Sequence, residues 1–179
     1  MSIEHGLFAS EETFKTMKEK GVFFSTQFLA LSLPPEKAGM KGPSVEKYLQ
    51  AQAGAQHGYR LGKELGLKMP WGTDILGSFD LHALQSQEFV ARAKWFTPFE
   101  ILKQCTSINA ELFELAGKRH PYKEGALGVI KPGAYADLII VDGNPLEDIK
   151  YVAEHEKYIN VVMKDGKIYK DTLRTDIEL

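Results

Sequence analysis

The chain is poor in several features, and each shortage removes a class of function. It has one cysteine, Cys105, so neither an internal disulfide nor a thiolate zinc site can form within it. No stretch approaches the ~18 uninterrupted apolar residues of a membrane span. Met1 to Gly6 carries no basic run followed by an apolar one, so no secretory leader is expected. Charge of one sign is lacking too: 22 Lys+Arg against 24 Asp+Glu leave −2. Neither nucleic acid nor an anionic membrane surface finds a footprint on such a chain. There is no His-x-His pair, no HExxH helix, no glycine-rich phosphate loop and no GxSxG elbow. At 179 residues the chain is also too short for a complete eight-stranded α/β barrel, which needs roughly 250.

What remains is an ordinary globular composition, 44% hydrophobic and 26% charged. A reducing, cytoplasmic setting fits the lone thiol, which the amphipathic run around it marks as a packed small hydrophobe. The chain opens as a strand stub (Ser2 to Glu4), a helix capped by Ser10 and stopped by Gly21, and a buried strand over Val22 to Leu29. That order predicts parallel strands. A loop with three prolines and two glycines spans Leu33 to Pro43, and Ser44 is expected to cap a helix running to about Gly66. In that helix Gly54, Gly58, Gly62 and Gly66 recur every fourth residue. Each interior glycine costs up to ~1 kcal/mol, so another backbone is expected to come close.

Residues 67–74 read as a short strand ending in a polar turn, 77–81 as loop, and 84–94 as helix. Thr97-Pro98-Phe99-Glu100 is a complete helix start, with a capping box and proline at its first turn. The helical region runs to about Ala116, interrupted near Thr106-Ser107. After Gly125 the pattern turns to strands. Asp137 to Asp142 is one, and Asp165-Gly166 between two β-rich runs signals a hairpin. The expected organisation is an α/β part over residues 1–120 and an all-β part over 121–179.

Two polar residues stand at the C-terminal ends of predicted parallel strands, His5 and Asp74, where α/β barrels place their chemistry. An imidazole can ligate zinc or iron, and a carboxylate can ligate a metal and hold a proton beside a bound water. Taken singly, each is as readily a structural or turn residue. His57, His120 and His155 read as surface or solvated. His82 reads as a helix start or a cleft residue, and Ser25-Thr26-Gln27 as a strand end or a pocket wall.

Five segments together resemble a known family. Ser-Ile-Glu-His-Gly (2–6), Trp-Gly-Thr-Asp (71–74), Thr-Pro-Phe-Glu-Ile-Leu (97–102), Cys-Thr-Ser-Ile-Asn-Ala (105–110) and the run from Gly128 to Leu146 occur in the order seen in the amidohydrolase superfamily. The branch is the one holding imidazolonepropionase-like enzymes and Xaa-Pro or Xaa-Arg dipeptidases. The resemblance implies an α/β fold: part of a distorted (β/α)8 barrel of a metal-dependent hydrolase, its last strands and helices, plus part of a small β-sandwich. It implies hydrolysis of a C–N bond in a small molecule such as a dipeptide or cyclic amide, with Zn2+ or another divalent metal. His5 is then the metal-ligand histidine ending the sixth barrel strand. Asp74 is the aspartate ending the eighth, a metal ligand and the catalytic proton carrier. The family's His-x-His on the first strand, lysine on the fourth and histidine on the fifth have no counterpart here. The chain therefore reads as the C-terminal portion of such an enzyme, nearly inactive alone, with loops 33–43 and 77–82 left to shape specificity. Its uncovered edges predict a homo-oligomer. The alternative is a non-catalytic, self-associating fragment that binds no metal.

Overall fold

The structure, a computed structural model, describes residues 1–75 and 82–173; the loop expected at 77–81 lies outside the described residues. Strands β1 (Ser2–Glu4) and β2 (Phe23–Ser25) pair in parallel, Ser2 opposite Phe23 and Glu4 opposite Ser25. Helix α1 (Glu11–Glu19) connects them. Ser10 Oγ accepts from the Thr13 amide at 3.2 Å, Glu11 and Glu12 fill the first turn, and Gly21 follows the helix at φ +61°. Each feature was predicted from residue type, because caps are decided by local geometry. The helix buries Phe14 and Met17 on the sheet, and the Phe14 ring meets Phe24 edge-on at 5.0 Å.

Helix α2 (Ser44–Glu64) lies across the same core. Its glycine stripe has the expected reason, in two forms. A Cβ on Gly54 would stand 2.0 Å from the carbonyl oxygen of Leu7, so here a backbone does press on the helix. At Gly58 and Gly62 the neighbours are side chains, Phe14, Phe24 and Met69. Ser44 departs from expectation. It is the first helical residue, and its hydroxyl is engaged with the Lys41 backbone instead of capping the helix.

The strand expected over 67–74 does not form a ladder. Its backbone is held by single main-chain bonds, among them Trp71 N to Gln104 O at 3.3 Å, and by side chains. Phe24 N donates to Lys68 O at 2.9 Å, Arg92 reaches Pro70 O at 3.1 Å, and the Asn109 carboxamide brackets Trp71, accepting from its N–H at 2.9 Å and donating to its carbonyl at 3.0 Å. Pro70 has no N–H to offer a neighbouring strand. The segment ends in Asp74.

Helices α3 (Gln87–Arg92) and α4 (Pro98–Lys103) follow. The capping box is complete: Thr97 Oγ1 accepts from Glu100 N at 3.3 Å and Glu100 Oε2 accepts from Thr97 N at 2.7 Å. The expected interruption at Thr106-Ser107 is a π-helical turn, Gln104–Ile108, after which α5 (Asn109–Glu114) resumes the α-helix. Thr106 Oγ1 donates back to Leu102 O at 2.6 Å, a bond that competes with the regular ladder.

The C-terminal strands β3 (Leu138–Val141), β4 (Ile159–Lys164) and β5 (Lys167–Asp171) form an antiparallel sheet in that order. Asp165 and Gly166 turn the hairpin at φ +50° and +74°. Asp137 locks this turn, accepting from Asp165 N at 2.7 Å and from Lys164 Nζ at 2.6 Å, and the lysine holds its carboxyl below the usual range. Short helices α6 (Lys150–Ala153) and α7 (His155–Tyr158) were not foreseen. The first packs on α3, and Ile149 enters the main core. Among the described residues neither sheet closes into a barrel, and the fold consists of small sheets with flanking helices.

A methyl group at Gly54 has nowhere to go, because its obstacle is main chain. Gly54→Ala is expected to destabilise the chain by about 2–3 kcal/mol in urea unfolding. An unchanged midpoint would refute the close approach.

Candidate functional site

His5 and Asp74 are far apart in sequence and adjacent in space. His5 Nε2 lies 3.7 Å from Asp74 Oδ2, with both side chains about half exposed. Each residue sits in the left-handed region, His5 at φ +61° and Asp74 at φ +50°. Non-glycine residues rarely adopt this conformation, and its cost persists only where surroundings impose it. For His5 the cause is visible. Its amide continues the β1–β2 pairing, donating to Ser25 O at 2.7 Å, and Gly6 at φ +57° then reverses the chain toward Leu7.

The imidazole is oriented from behind. His5 Nδ1 is 2.9 Å from Gln27 Oε1. A carboxamide oxygen only accepts, so the bond requires the proton on Nδ1. Neutral His5 then presents a bare lone pair at Nε2 to the Asp74 carboxylate, which also only accepts. Two facing acceptors are satisfied by a bridging cation, a second ring proton or a water molecule between them. Ligand atoms bound at ~2.0–2.1 Å to a tetrahedral zinc ion stand about 3.3–3.4 Å apart. The observed 3.7 Å differs from this by a few tenths of an ångström, so the pair fits one edge of a metal's coordination shell. Among the described residues no group of three or more His, Cys, Asp or Glu gathers around one point. Among the described residues the pair thus offers two donors where a catalytic zinc takes three from protein.

The two segments that meet here are tied by a buried network absent from the sequence reading. Glu88 and Arg92 are both fully buried. Glu88 accepts from Phe28 N at 3.1 Å and Leu29 N at 2.7 Å, and Arg92 Nε donates to Glu88 Oε1 at 2.8 Å. The guanidinium also donates to Gln104 Oε1 at 2.8 Å, to Thr26 O at 3.0 Å and to Pro70 O at 3.1 Å. Its plane lies 4.5 Å from the Phe28 ring centre. Burial pushes the Glu88 carboxyl up, and Arg92 with the two amides pulls it back; burial likewise lowers Arg92, and Glu88 raises it. Thr26 precedes Gln27, and Pro70 begins the turn to Asp74, so one side chain grips both halves of the site. At four residues' spacing, Glu88 and Arg92 resemble a surface helix pair. The available signal was that they share their helix face with Ala91 and Trp95.

Beside Asp74 an apolar cavity of about 180 Å3 opens between Leu29, Leu33, Met40, Tyr48 and Ile75. Tyr48 fixes its wall, donating to Ala30 O at 2.6 Å and Leu33 O at 3.1 Å. Leu33 and Met40 of the 33–43 loop thus share a cavity with Ile75, the residue after Asp74.

The remaining candidates lie elsewhere. His57, His82 and His155 are exposed. His120, expected to be solvated, is instead buried at 5% exposure. Its Nδ1 accepts from Tyr122 N at 3.1 Å and its Nε2 lies 3.3 Å from Glu114, so it pins the exit of the helical region. Cys105 is packed as expected; burial pushes its thiol up to about 11, and its Sγ sits 3.3 Å from Leu102 O.

Residues 1–169 match the amidohydrolase family, and the chain belongs to it. It is 34% identical over 172 residues to the ochratoxinase of Aspergillus niger, covering 94% of this chain and 34% of that protein. Among solved structures it superposes on an amidohydrolase with a TM-score of 0.79 at 32% identity, covering 97% of this chain and 40% of that one. A prolidase complexed with N-methylphosphonate-L-proline gives 0.77 at 34% identity, over 96% of this chain and 40% of that one. The A. niger ochratoxinase structure gives 0.78 at 26%, over 97% and 38%. The chain thus spans about a third of the length of the curated relatives it matches.

Removing Arg92 would leave the Glu88 carboxylate uncompensated in the interior. Arg92→Met is expected to cost about 3–5 kcal/mol. Arg92→Lys, which keeps the charge but not the planar fork, is expected to recover only part of it. Equal denaturation midpoints for lysine and arginine would show that charge alone matters.

Proposed function

We propose that this chain is the C-terminal portion of a metal-dependent hydrolase that cleaves the C–N bond of a small amide or dipeptide. In this reading His5 and Asp74 are metal ligands and Asp74 is the catalytic base. The observation that carries it is the meeting of His5 Nε2 and Asp74 Oδ2 at 3.7 Å, each held at positive φ. Membership of the amidohydrolase family supports it, as does the likeness to a prolidase and to ochratoxinase.

When bound, a divalent metal would polarise the scissile carbonyl and lower the pKa of water toward ~7. The chain's own residues do the rest. His5 offers an imidazole nitrogen to the ion. Asp74, exposed enough to meet a substrate, accepts the proton of the attacking water and passes it to the leaving nitrogen. The apolar cavity beside Ile75 suits an aliphatic or aromatic substituent: about 180 Å3 exceeds the ~150 Å3 of an apolar cavity that takes benzene. Residues 1–120 supply the barrel portion and 121–179 the sandwich portion, and the remaining metal ligands come from outside this stretch.

Two measurements test the reading. Zinc titration of the chain should show a site that Asp74→Asn and His5→Ala abolish. In the protein carrying all its barrel strands, Asp74→Asn should lower kcat on an N-acyl amino acid by about 10²–10⁴-fold. Wild-type turnover in that variant removes Asp74 from the mechanism.

A second reading, self-association of this chain, rests on the C-terminal sheet. Ile139 and Ile140 are 44% and 46% exposed, and neighbours along a strand face opposite sides, so β3 is bare on both. Ile130 is 93% exposed beside a groove of about 500 Å3 that includes Val129, Leu138 and Met163. Apolar surface of this kind with open strand edges favours a second copy. Sedimentation equilibrium at micromolar concentration should report a dimer or larger species that Ile130→Asp with Ile139→Lys converts to monomer; a monomeric wild-type chain refutes this reading.

A further inference from the structure

We propose that Gln27 is a positioning residue that fixes the tautomer and aim of the His5 imidazole. The inference rests on the reading of His5 as a metal ligand for its chemical purpose, but its geometry stands alone. The Gln27 side chain is 8% exposed, and its Oε1 meets His5 Nδ1 at 2.9 Å. Its backbone is immobilised from two sides. The Tyr59 hydroxyl donates to Gln27 O, and the Tyr59 ring stacks on Phe28 at 3.7 Å. One residue earlier, Thr26 O receives the Arg92 guanidinium. The carboxamide is therefore presented from a rigid segment, while the imidazole it meets is half exposed and, among the described residues, has Gln27 and Asp74 as its polar side-chain partners.

The chemistry requires such a group. An imidazole can hold its single neutral-state proton on either nitrogen, and the partner of one nitrogen decides the state of the other. Next to Asp74, an unrestrained His5 would place its proton on Nε2, drawn by the carboxylate, and would lose its lone pair there. Gln27 Oε1 opposes this by binding the proton on Nδ1. The same contact holds the ring plane, so that Nε2 and Oδ2 converge on one point. Gln27 is neutral, so it does this without adding a second negative charge beside Asp74.

Long-range 1H–15N correlation spectra of the imidazole read the proton's position directly, in the chain without metal and at a pH where the ring is neutral. The wild-type chain should show His5 with its proton on Nδ1 and a bare Nε2. In Gln27→Leu the proton should move to Nε2, or divide between the two nitrogens. In Gln27→Glu it should stay on Nδ1. Zinc affinity, measured by chelator competition, should fall about 10–100-fold in Gln27→Leu and be retained in Gln27→Glu.

A wild-type His5 protonated on Nε2 overturns the proposal without any variant, as does an unchanged tautomer in a folded Gln27→Leu chain. If Gln27→Leu fails to fold, the wild-type and Gln27→Glu spectra decide alone. If the tautomers behave as expected and no form binds zinc, the metal reading of His5 falls while the positioning role of Gln27 stands.

Discussion

The guanidinium of Arg92 is the constraint on which the candidate site depends. It is fully buried and donates four hydrogen bonds, to Glu88, Gln104, Thr26 and Pro70. A buried charge is tolerated only when paired and when its remaining donors are satisfied. Here the pairing organises the chain. Glu88 takes the amides of Phe28 and Leu29 just past β2, and Arg92 takes the carbonyls of Thr26 and Pro70. These backbone groups lie outside any strand ladder and would otherwise be left unpaired in the interior. The ion pair thus stands in for sheet hydrogen bonding where the ladder of β1 and β2 runs out, and it holds the Gln27 and Asp74 branches at a fixed separation.

From that separation the local chemistry follows. His5 and Asp74 meet with both backbones in the left-handed region, an uncommon conformation that His and Asp tolerate better than most non-glycine residues. Strain of this kind survives where the surroundings over-determine the geometry. Here they do so through the Ser25 carbonyl behind His5, the glycine helix pressing on Leu7, and the Asn109 carboxamide bracketing Trp71. Side-chain amides recur in this role. Gln27, Gln104 and Asn109 each make a directional bond to a ring, a guanidinium or a backbone without adding charge near Asp74.

Local features were legible because their causes are local. The Ser10 cap, the Thr97–Glu100 box, the Gly21 stop and the Asp165-Gly166 hairpin depend on a few consecutive residues and came out as read. The glycine stripe correctly announced a close approach, though only Gly54 faces a backbone. The segment 67–74 misled because its pattern is that of a strand while its partners are isolated main-chain groups of Phe24 and Gln104 and side chains of Asn109 and Arg92, distant in sequence. His120 misled because a polar neighbourhood in sequence says nothing of Phe113 and Tyr122 closing around it in space.

By itself the sequence determined the βαβ opening and the antiparallel C-terminal hairpin, and it singled out His5 and Asp74 as residues with chemistry to offer, since period, caps and turn residues act over a few positions. Only the tertiary structure decided that those two residues share one point, that Gln27 stands behind one of them, and that an ordinary-looking i,i+4 pair is the buried clamp between them. The reason is physical: desolvation turns a surface-type ion pair into an organising one, and whether a side chain is desolvated depends on contacts between residues some sixty positions apart, such as Phe28 with Glu88.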